Sequence, residues 1–180
     1  ERIHRPFELD LVLGRFGPAL TREEIEKVIG ARALVAFGPA PLERMHGVVT
    51  TLTHVDSPRG SFELYVAKMV PEIALLQAGR RSAIYQSVTV PDLVREVLTA
   101  HGLSLGDDFE LRTAGVVSPS REYVVQYRES DWDFLARWME HEGLYLVFEH
   151  LEEHSRAIVC GEVAATPELG DPAAIAYRAN

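Results

Sequence analysis

The stretch from Arg121 to Phe148 constrains the fold of this chain more than any other. Tyr123-Val124-Val125-Gln126-Tyr127 has the β-branched and aromatic content of a strand. Ser130-Asp131-Trp132-Asp133 follows with the spacing of a capping box, in which a hydroxyl and a carboxylate three positions apart satisfy free backbone N–H groups at a helix start. The helix begun there would carry Trp132, Leu135, Trp138 and Met139 on one broad face, with Phe134 close by. Gly143 ends it, and Leu144-Tyr145-Leu146-Val147-Phe148 reads as a second strand. A strand, a capped helix and a strand in immediate succession place this half of the chain in the α+β class.

The surrounding sequence continues the pattern. Val90-Pro91-Asp92 opens another helix, because a proline in the first turn forfeits no hydrogen bond. Leu93, Val94, Val97 and Leu98 form its buried stripe, and His101-Gly102 closes it. Phe109-Glu110-Leu111 is a further strand candidate. The N-terminal half is instead a series of short strands cut by Gly/Pro turns. Phe7 to Leu13 predicts a strand with one well-buried face, broken at Gly14 to Pro18. Thr21-Arg22-Glu23-Glu24 is another capping box, and Ile25, Val28 and Ile29 would line one side of a short helix ending near Gly30. Ala33 to Phe37 is a strand. Met45 to Val55 and Ser61 to Ala67 form a hairpin around Asp56-Ser57-Pro58-Arg59-Gly60, with Phe62, Leu64 and Val66 on one face. Such a series suggests a small barrel or sandwich. The expected fold is therefore α+β and β-rich: a barrel-like domain over residues 1–86, an α+β domain over 87–160, and a connector over 161–180.

Charge narrows the partners. Against 18 basic residues stand 27 acidic ones, a formal charge of -9, and that surface repels a nucleic-acid backbone or an anionic membrane. No apolar run reaches the roughly 18 residues a membrane span needs, and Glu1 to Asp10 holds no hydrophobic signal core, so no cleaved signal peptide is expected. The lone cysteine, Cys160, excludes an internal disulfide framework and fits folding in a reducing compartment.

The search for chemistry returns isolated residues. Gly-x-Ser-x-Gly, the phosphate-binding Gly-x-x-x-x-Gly-Lys-Ser/Thr and Gly-x-Gly-x-x-Gly are all absent. His150 and His154 stand four apart, but the segment reads His150-Leu151-Glu152-Glu153-His154, with the glutamate displaced from the zinc-protease spacing; a solvated charged turn is the simpler reading. His141-Glu142 could serve as a base pair, yet it falls in the last turn of a helix, where a histidine meets the carbonyl end of the dipole. Glu129, Asp131 and Asp133 form the densest carboxylate group; two of them lie in a helical first turn, with Arg128 and Arg137 near enough to offset them. Cys160 has no local histidine and reads as a buried thiol on a strand. His46 and His54 fall on predicted strands, where packing or rim exposure accounts for them. Trp132, Trp138, Tyr127, Tyr145 and Phe148 read as core or as the centre of a protein–protein interface ahead of a ligand platform. No catalytic, cofactor-binding or metal residue is assigned, and no cofactor is expected.

The segment Tyr123 to His150 resembles the hallmark of VgrG spike proteins of type VI secretion systems, whose usual form is QYxESDxxFLxRxxExEG followed by a tyrosine-rich strand ending in Phe-Glu-His. Arg44-Met45-His46-Gly47-Val48-Val49-Thr50 is similar to the family's R-x-HG-x-V-T strand, and Tyr65 to Leu76, with Pro71 and Leu75-Leu76, to its Y-x-L-x-x-x-P-x-x-x-LL passage. Tyr85-Gln86-Ser87-Val88-Thr89-Val90-Pro91-Asp92-Leu93-Val94 completes the pattern, with Tyr85 where members carry phenylalanine. The likeness spans roughly residues 6 to 160 and departs at Val159-Cys160-Gly161-Glu162, which replaces the usual Leu-x-Asp run.

The resemblance implies a portion shared with phage baseplate hub proteins: barrel-like domains that trimerise into a pseudo-sixfold ring. It implies a structural, non-enzymatic hub that links a tube of hexameric Hcp protein to a trimeric β-helical needle and carries effectors. Expected partners are two further copies in the full-length protein, an Hcp-like tube protein, baseplate proteins and effectors, without nucleic acid or stable membrane insertion. The expected location is the bacterial cytoplasm before firing and the target cell after it. The hub of a contractile phage tail or related particle is the nearest alternative. A small hydrolase or metal-binding domain, with a cleft lined by Glu129, His141 and His150, is the alternative from another class. Without its needle the fragment is expected to be a monomer or weak oligomer.

Overall fold

A computed structural model describes residues 3–38, 43–55 and 62–167. The first half is a four-stranded antiparallel sheet in the order β1-β4-β3-β2, formed by β1 (Leu9–Arg15), β2 (Arg32–Phe37), β3 (Glu43–Val55) and β4 (Glu63–Val70). Strand β3 is long because it pairs with β2 along its first part and with β4 along its second, with a bulge between Val49 and Thr51. A bulge bends its strand and adds local twist, so the sheet curls into a half-barrel around one face. At Gly47 the backbones approach closely: a Cβ there would lie 2.4 Å from the carbonyl oxygen of Val70. Only glycine fits that approach.

The inner face of β4 is Tyr65, Ala67 and Met69, all buried. Phe62, Leu64 and Val66, expected to share a face, alternate with this set and are half-buried, so the outer residues of the strand are as apolar as the inner ones. The hairpin turn over 56–60 lies outside the described residues, as does 168–180 of the expected connector. The α+β and β-rich class holds, with a curled sheet in the first half.

Between β1 and β2 stands α1 (Arg22–Val28), with the complete reciprocal capping box of Thr21 and Glu24. It fully buries none of its residues: Ile25 and Val28 are half-buried and Ile29 is exposed, so the expected apolar side of this helix is only partly covered. The strand expected from Phe7 begins at Leu9, because Phe7 itself is drawn into the second half. It is buried there edge-on to Phe148, with ring centroids 5.0 Å apart.

A 3-10 turn over Glu72–Gln77 buries Ile73 and Leu76 and leads to β5 (Arg81–Val88), which pairs with β7 (Arg121–Glu129) as a two-stranded antiparallel sheet. Helix α2 (Val90–Ala100) starts at the Thr89 cap and buries Val90, Leu93, Val94, Val97 and Leu98. Helix α3 (Asp131–His141) starts at Ser130, whose hydroxyl accepts from the Asp133 N–H, and buries Trp132, Phe134, Leu135 and Met139. A third sheet has the order β6-β9-β8, from β6 (Phe109–Arg112), β8 (Tyr145–His150) and β9 (Ser155–Cys160). The strand–helix–strand unit is therefore present, but its two strands belong to different sheets, β7 to one and β8 to the other. One hydrophobic cluster runs from Phe7, Met45 and Met69 through both helices to Val159, so both halves share a continuous interior.

Candidate functional site

Strands β5 and β7 have two unlike faces. Pairing Ile84 with Val125 and Tyr85 with Val124 puts alternate residues on opposite sides. The inner side, Tyr85, Val124 and Gln126, is buried against the helices. The outer side carries Ile84 (66% exposed), Tyr123 (59%), Val125 (50%) and Tyr127 (67%). Four neighbouring apolar or aromatic side chains in water form the kind of patch that another protein covers.

Behind this face a buried polar cluster fixes the sheet to the helices. Asp131 is 8% exposed, and its carboxylate accepts three hydrogen bonds. Arg81 Nε donates to Oδ1 at 2.5 Å and Gln126 Nε2 to the same oxygen at 2.8 Å, while His101 Nε2 lies 2.7 Å from Oδ2. Arg81 also donates to the Tyr85 hydroxyl at 2.9 Å. The carboxylate thus joins β5, β7 and the end of α2 at the start of α3. Burial alone would raise the Asp131 carboxyl, but the bonds from Gln126, Arg81 and His101, with the Arg81 charge, outweigh it and hold the group below its ordinary value. Burial likewise pushes the Tyr85 phenol up, against the pull of Arg81.

Local backbone delivers these groups. The β5–β7 register shifts between Arg81 and Ala83, and opposite that shift Arg128 takes φ 49 while its N–H donates to Ser82 Oγ at 3.1 Å. This kink turns the end of β7 so that Gln126 and Asp131 meet. A second tie lies at the other end of α3. Arg121 donates to the buried carboxylate of Glu142 at 2.9 Å and lies over the Trp138 ring, 4.7 Å from its centroid.

The structure separates the candidates that the sequence grouped. Glu129 pairs with Arg137 at 2.6 Å, Asp131 turns inward and Asp133 faces out. Asp131 stands in the first turn of α3 as expected but is buried, and its counter-charge is Arg81, from a strand far away in sequence, in place of the expected Arg128. His141 is exposed and edge-on to Trp138, whereas its neighbour Glu142 is buried in its ion pair. His150 and His154 flank a turn between β8 and β9 that is more than a solvated loop. His150 Nδ1 lies 2.8 Å from Ser155 Oγ, and both histidines are half-buried. His46, on β3, is also half-buried, and His54 pairs with Glu63. Cys160 is buried, as expected of a thiol on a strand, and burial pushes its thiol up. Glu129, His141 and His150 line neither of two cavities found among the described residues. One of these, of about 250 Å³, has His46, Asp108, Phe148 and His154 among its walls. Among the described residues no group of three or more His, Cys, Asp or Glu side chains is placed to hold a metal ion. No helix of the described residues is long and apolar enough to cross a membrane.

The sequence reading missed the Asp131 cluster as a unit. Its one visible signal was Gln126, a polar residue on the strand face shared with buried Val124; Arg81 and His101 carried none.

Comparison with known proteins meets this arrangement. A family model described as the phage tail baseplate hub (GPD) matches residues 1–180. The type VI secretion system spike protein VgrG4b of Pseudomonas aeruginosa is 33% identical over 179 residues, 98% of this chain and 21% of that protein. VgrG1a of the same organism is 33% identical over 181 aligned positions, 98% of this chain and 27% of that protein. The chain therefore spans about a fifth to a quarter of the length of these relatives. Among solved structures, the E. coli c3393 protein superposes with a TM-score of 0.77 at 28% identity, covering 91% of this chain and 44% of that one. It is described as a type VI secretion system component similar to the T4 bacteriophage tail proteins gp27 and gp5.

Proposed function

This chain belongs to the phage tail baseplate hub (GPD) family, and on that premise we propose that it is a structural hub module of a type VI secretion spike that works through contact area, without catalysis. The observation that carries the reading is the outer face of β5–β7, where Ile84, Tyr123, Val125 and Tyr127 stand exposed on a sheet pinned from behind by Asp131. A rigid sheet with an apolar outer face is suited to transmitting force into a neighbouring subunit. The pairing of Glu129 with Arg137 and the exposure of His141 support leaving catalytic, cofactor and metal residues unassigned.

In this reading the full-length protein is a homotrimer that joins an Hcp-like tube to a puncturing needle, contacts baseplate proteins and carries effectors. It resides in the bacterial cytoplasm before firing and enters target cells afterwards. The domain division at 86/87 and the connector from 161 belong to the same proposal. The description of the c3393 protein as similar to T4 tail proteins favours one alternative, the hub of a contractile phage tail.

The test is the mass of the full-length protein by light scattering, with and without the pair of substitutions V125E and Y127E. A trimer reduced to monomers by the pair is expected, whereas an unaltered trimer that still joins the tube protein would remove this face from the assembly. Residues 1–180 alone are expected to be monomeric or weakly associating; a tight trimer at low micromolar concentration would contradict that.

A further inference from the structure

The seam between the half-barrel and the third sheet holds imidazoles in an unusual concentration. His46 comes from β3, His150 from the end of β8, and His154 from the turn into β9. Ser155 lies among them: its hydroxyl accepts the His46 N–H at 3.0 Å and lies 2.8 Å from His150 Nδ1. His46, His154 and Ser155 also line the same cavity of about 250 Å³. We propose that this seam is an acid-sensitive joint: proton uptake at His46 loosens the half-barrel from the β8–β9 sheet while the rest of the core stays folded.

At His46 the closed seam suits a neutral imidazole and has little to offer a charged one. His46 Nδ1 and His154 Nε2 are buried without a hydrogen-bond partner among the described residues, so a proton gained there finds no acceptor. The charged groups around the seam are mostly committed. Arg44 of β3 pairs with Glu152 at 2.9 Å, and Arg32 of β2 pairs with Glu72 at 2.8 Å. Asp108 accepts the Ser104 N–H at 2.8 Å, and Arg156 and Glu149 pair across β8 and β9. The N-terminal segment contributes the apolar ring of Phe7, 5.5 Å from His150. Of the carboxylates lining the cavity, Glu153 is the one with no such partner among the described residues, and it is exposed.

Burial is the main influence on His46, and it lowers the imidazole from its ordinary value; His154, Arg44 and His150 add like-charge repulsion in the same direction. The sign follows. A histidine held neutral in the closed state binds fewer protons than in an opened one, so closure is fully favoured above the ordinary value near 6.5 and weakens as pH falls below it. Opening lets water from the cavity reach the buried nitrogens. Each unit of such proton-linked difference corresponds to about tenfold in the opening equilibrium.

Hydrogen exchange in the full-length protein at pH 7.5 and pH 5.0, corrected for intrinsic rates, tests this joint independently of the hub reading. Protection over residues 43–50 and 146–160 is expected to fall about tenfold on acidification, while residues 93–98 of α2 keep theirs. In H46N/H154Q the acid-dependent loss is expected to shrink to a small remainder. If that pair fails to fold at pH 7.5, the single substitution H46Q is read the same way. Unchanged protection in the wild type at pH 5.0, a loss shared equally by α2, or an undiminished acid loss in the substituted protein each overturns the proposal.

Discussion

Helices α1 and α3 begin with the same device and come to opposite uses. Thr21 and Glu24 give α1 a complete reciprocal cap, reinforced by the pairs Arg22–Glu26 and Lys27–Glu23, yet the helix fully buries none of its residues. Ser130 gives α3 a single hydroxyl bond to the Asp133 N–H, and that helix buries Trp132, Phe134, Leu135 and Met139 together with Asp131. A cap decides where a helix starts, whereas the apolar stripe behind it decides whether the fold depends on it. Thus α1 decorates the half-barrel and α3 holds the second half together.

Truncating Phe134 attacks that contrast at its strongest point. The ring is fully buried, stacked on Tyr85 at 5.4 Å, and Arg137 covers it 5.6 Å away. Phe134→Ala is expected to cost about 3–5 kcal/mol in urea unfolding. A cost below roughly 1 kcal/mol would mean that α3 is no more central than α1.

Asp131→Ala comes next, because it leaves Gln126, Arg81 and His101 facing an absent acceptor. Removing one partner of a buried pair costs up to about 3–5 kcal/mol, but the half-exposed Arg81 can regain water, so about 2–3 kcal/mol is expected. The pH dependence identifies the carboxylate as the cause. With its folded value held below the ordinary 3.8, Asp131 contributes fully above that value and loses its contribution as pH falls through the lower folded one. The gap between wild type and variant should stay constant from about pH 7 to pH 5 and close only below about pH 4. A gap that closes near pH 6 would assign the effect to the histidines instead.

What could be read in advance follows the range of the interactions. The α2 stripe and the positions of both capped helices depend on neighbours within a few residues, and Leu93, Val97 and Leu135 stand where periodicity puts them. The facing of β4 was not readable from alternation, because Leu64 and Val66 match Tyr65 and Ala67 in apolar character and only the close approach at Gly47 and the β3 bulge select the inner set. Strand β5 lacked a strand signal of its own, since Arg81, Ser82, Gln86 and Ser87 dilute it and pairing with β7 defines it. The Asp131 cluster and the histidine seam join residues from strands and helices far apart in the chain. The likeness of Gln126, Ser130 and Asp131 to a family motif marked their importance without revealing that Arg81 and His101 complete the arrangement.

The smallest expected effect probes the other helix. Thr21→Ala removes the hydroxyl that accepts the Glu24 N–H at 3.3 Å and donates to Glu24 Oε2 at 3.0 Å, leaving the Thr21 N–H to Glu24 bond in place. Because α1 fully buries none of its residues, its fraying exposes no core, and local opening need not pass through global unfolding. Exchange at the amides of residues 23–28 should therefore quicken roughly fivefold, the usual value of such a cap, while the urea midpoint hardly moves. The anchors that keep the helix docked lie past its end, where Gly30 N–H donates to Val49 O at 2.8 Å and Val49 N–H to Ala31 O at 3.0 Å, and both survive the substitution. A midpoint shift as large as that of Asp131→Ala would show that the half-barrel needs α1 in order to fold, and the contrast between the two helices would fail.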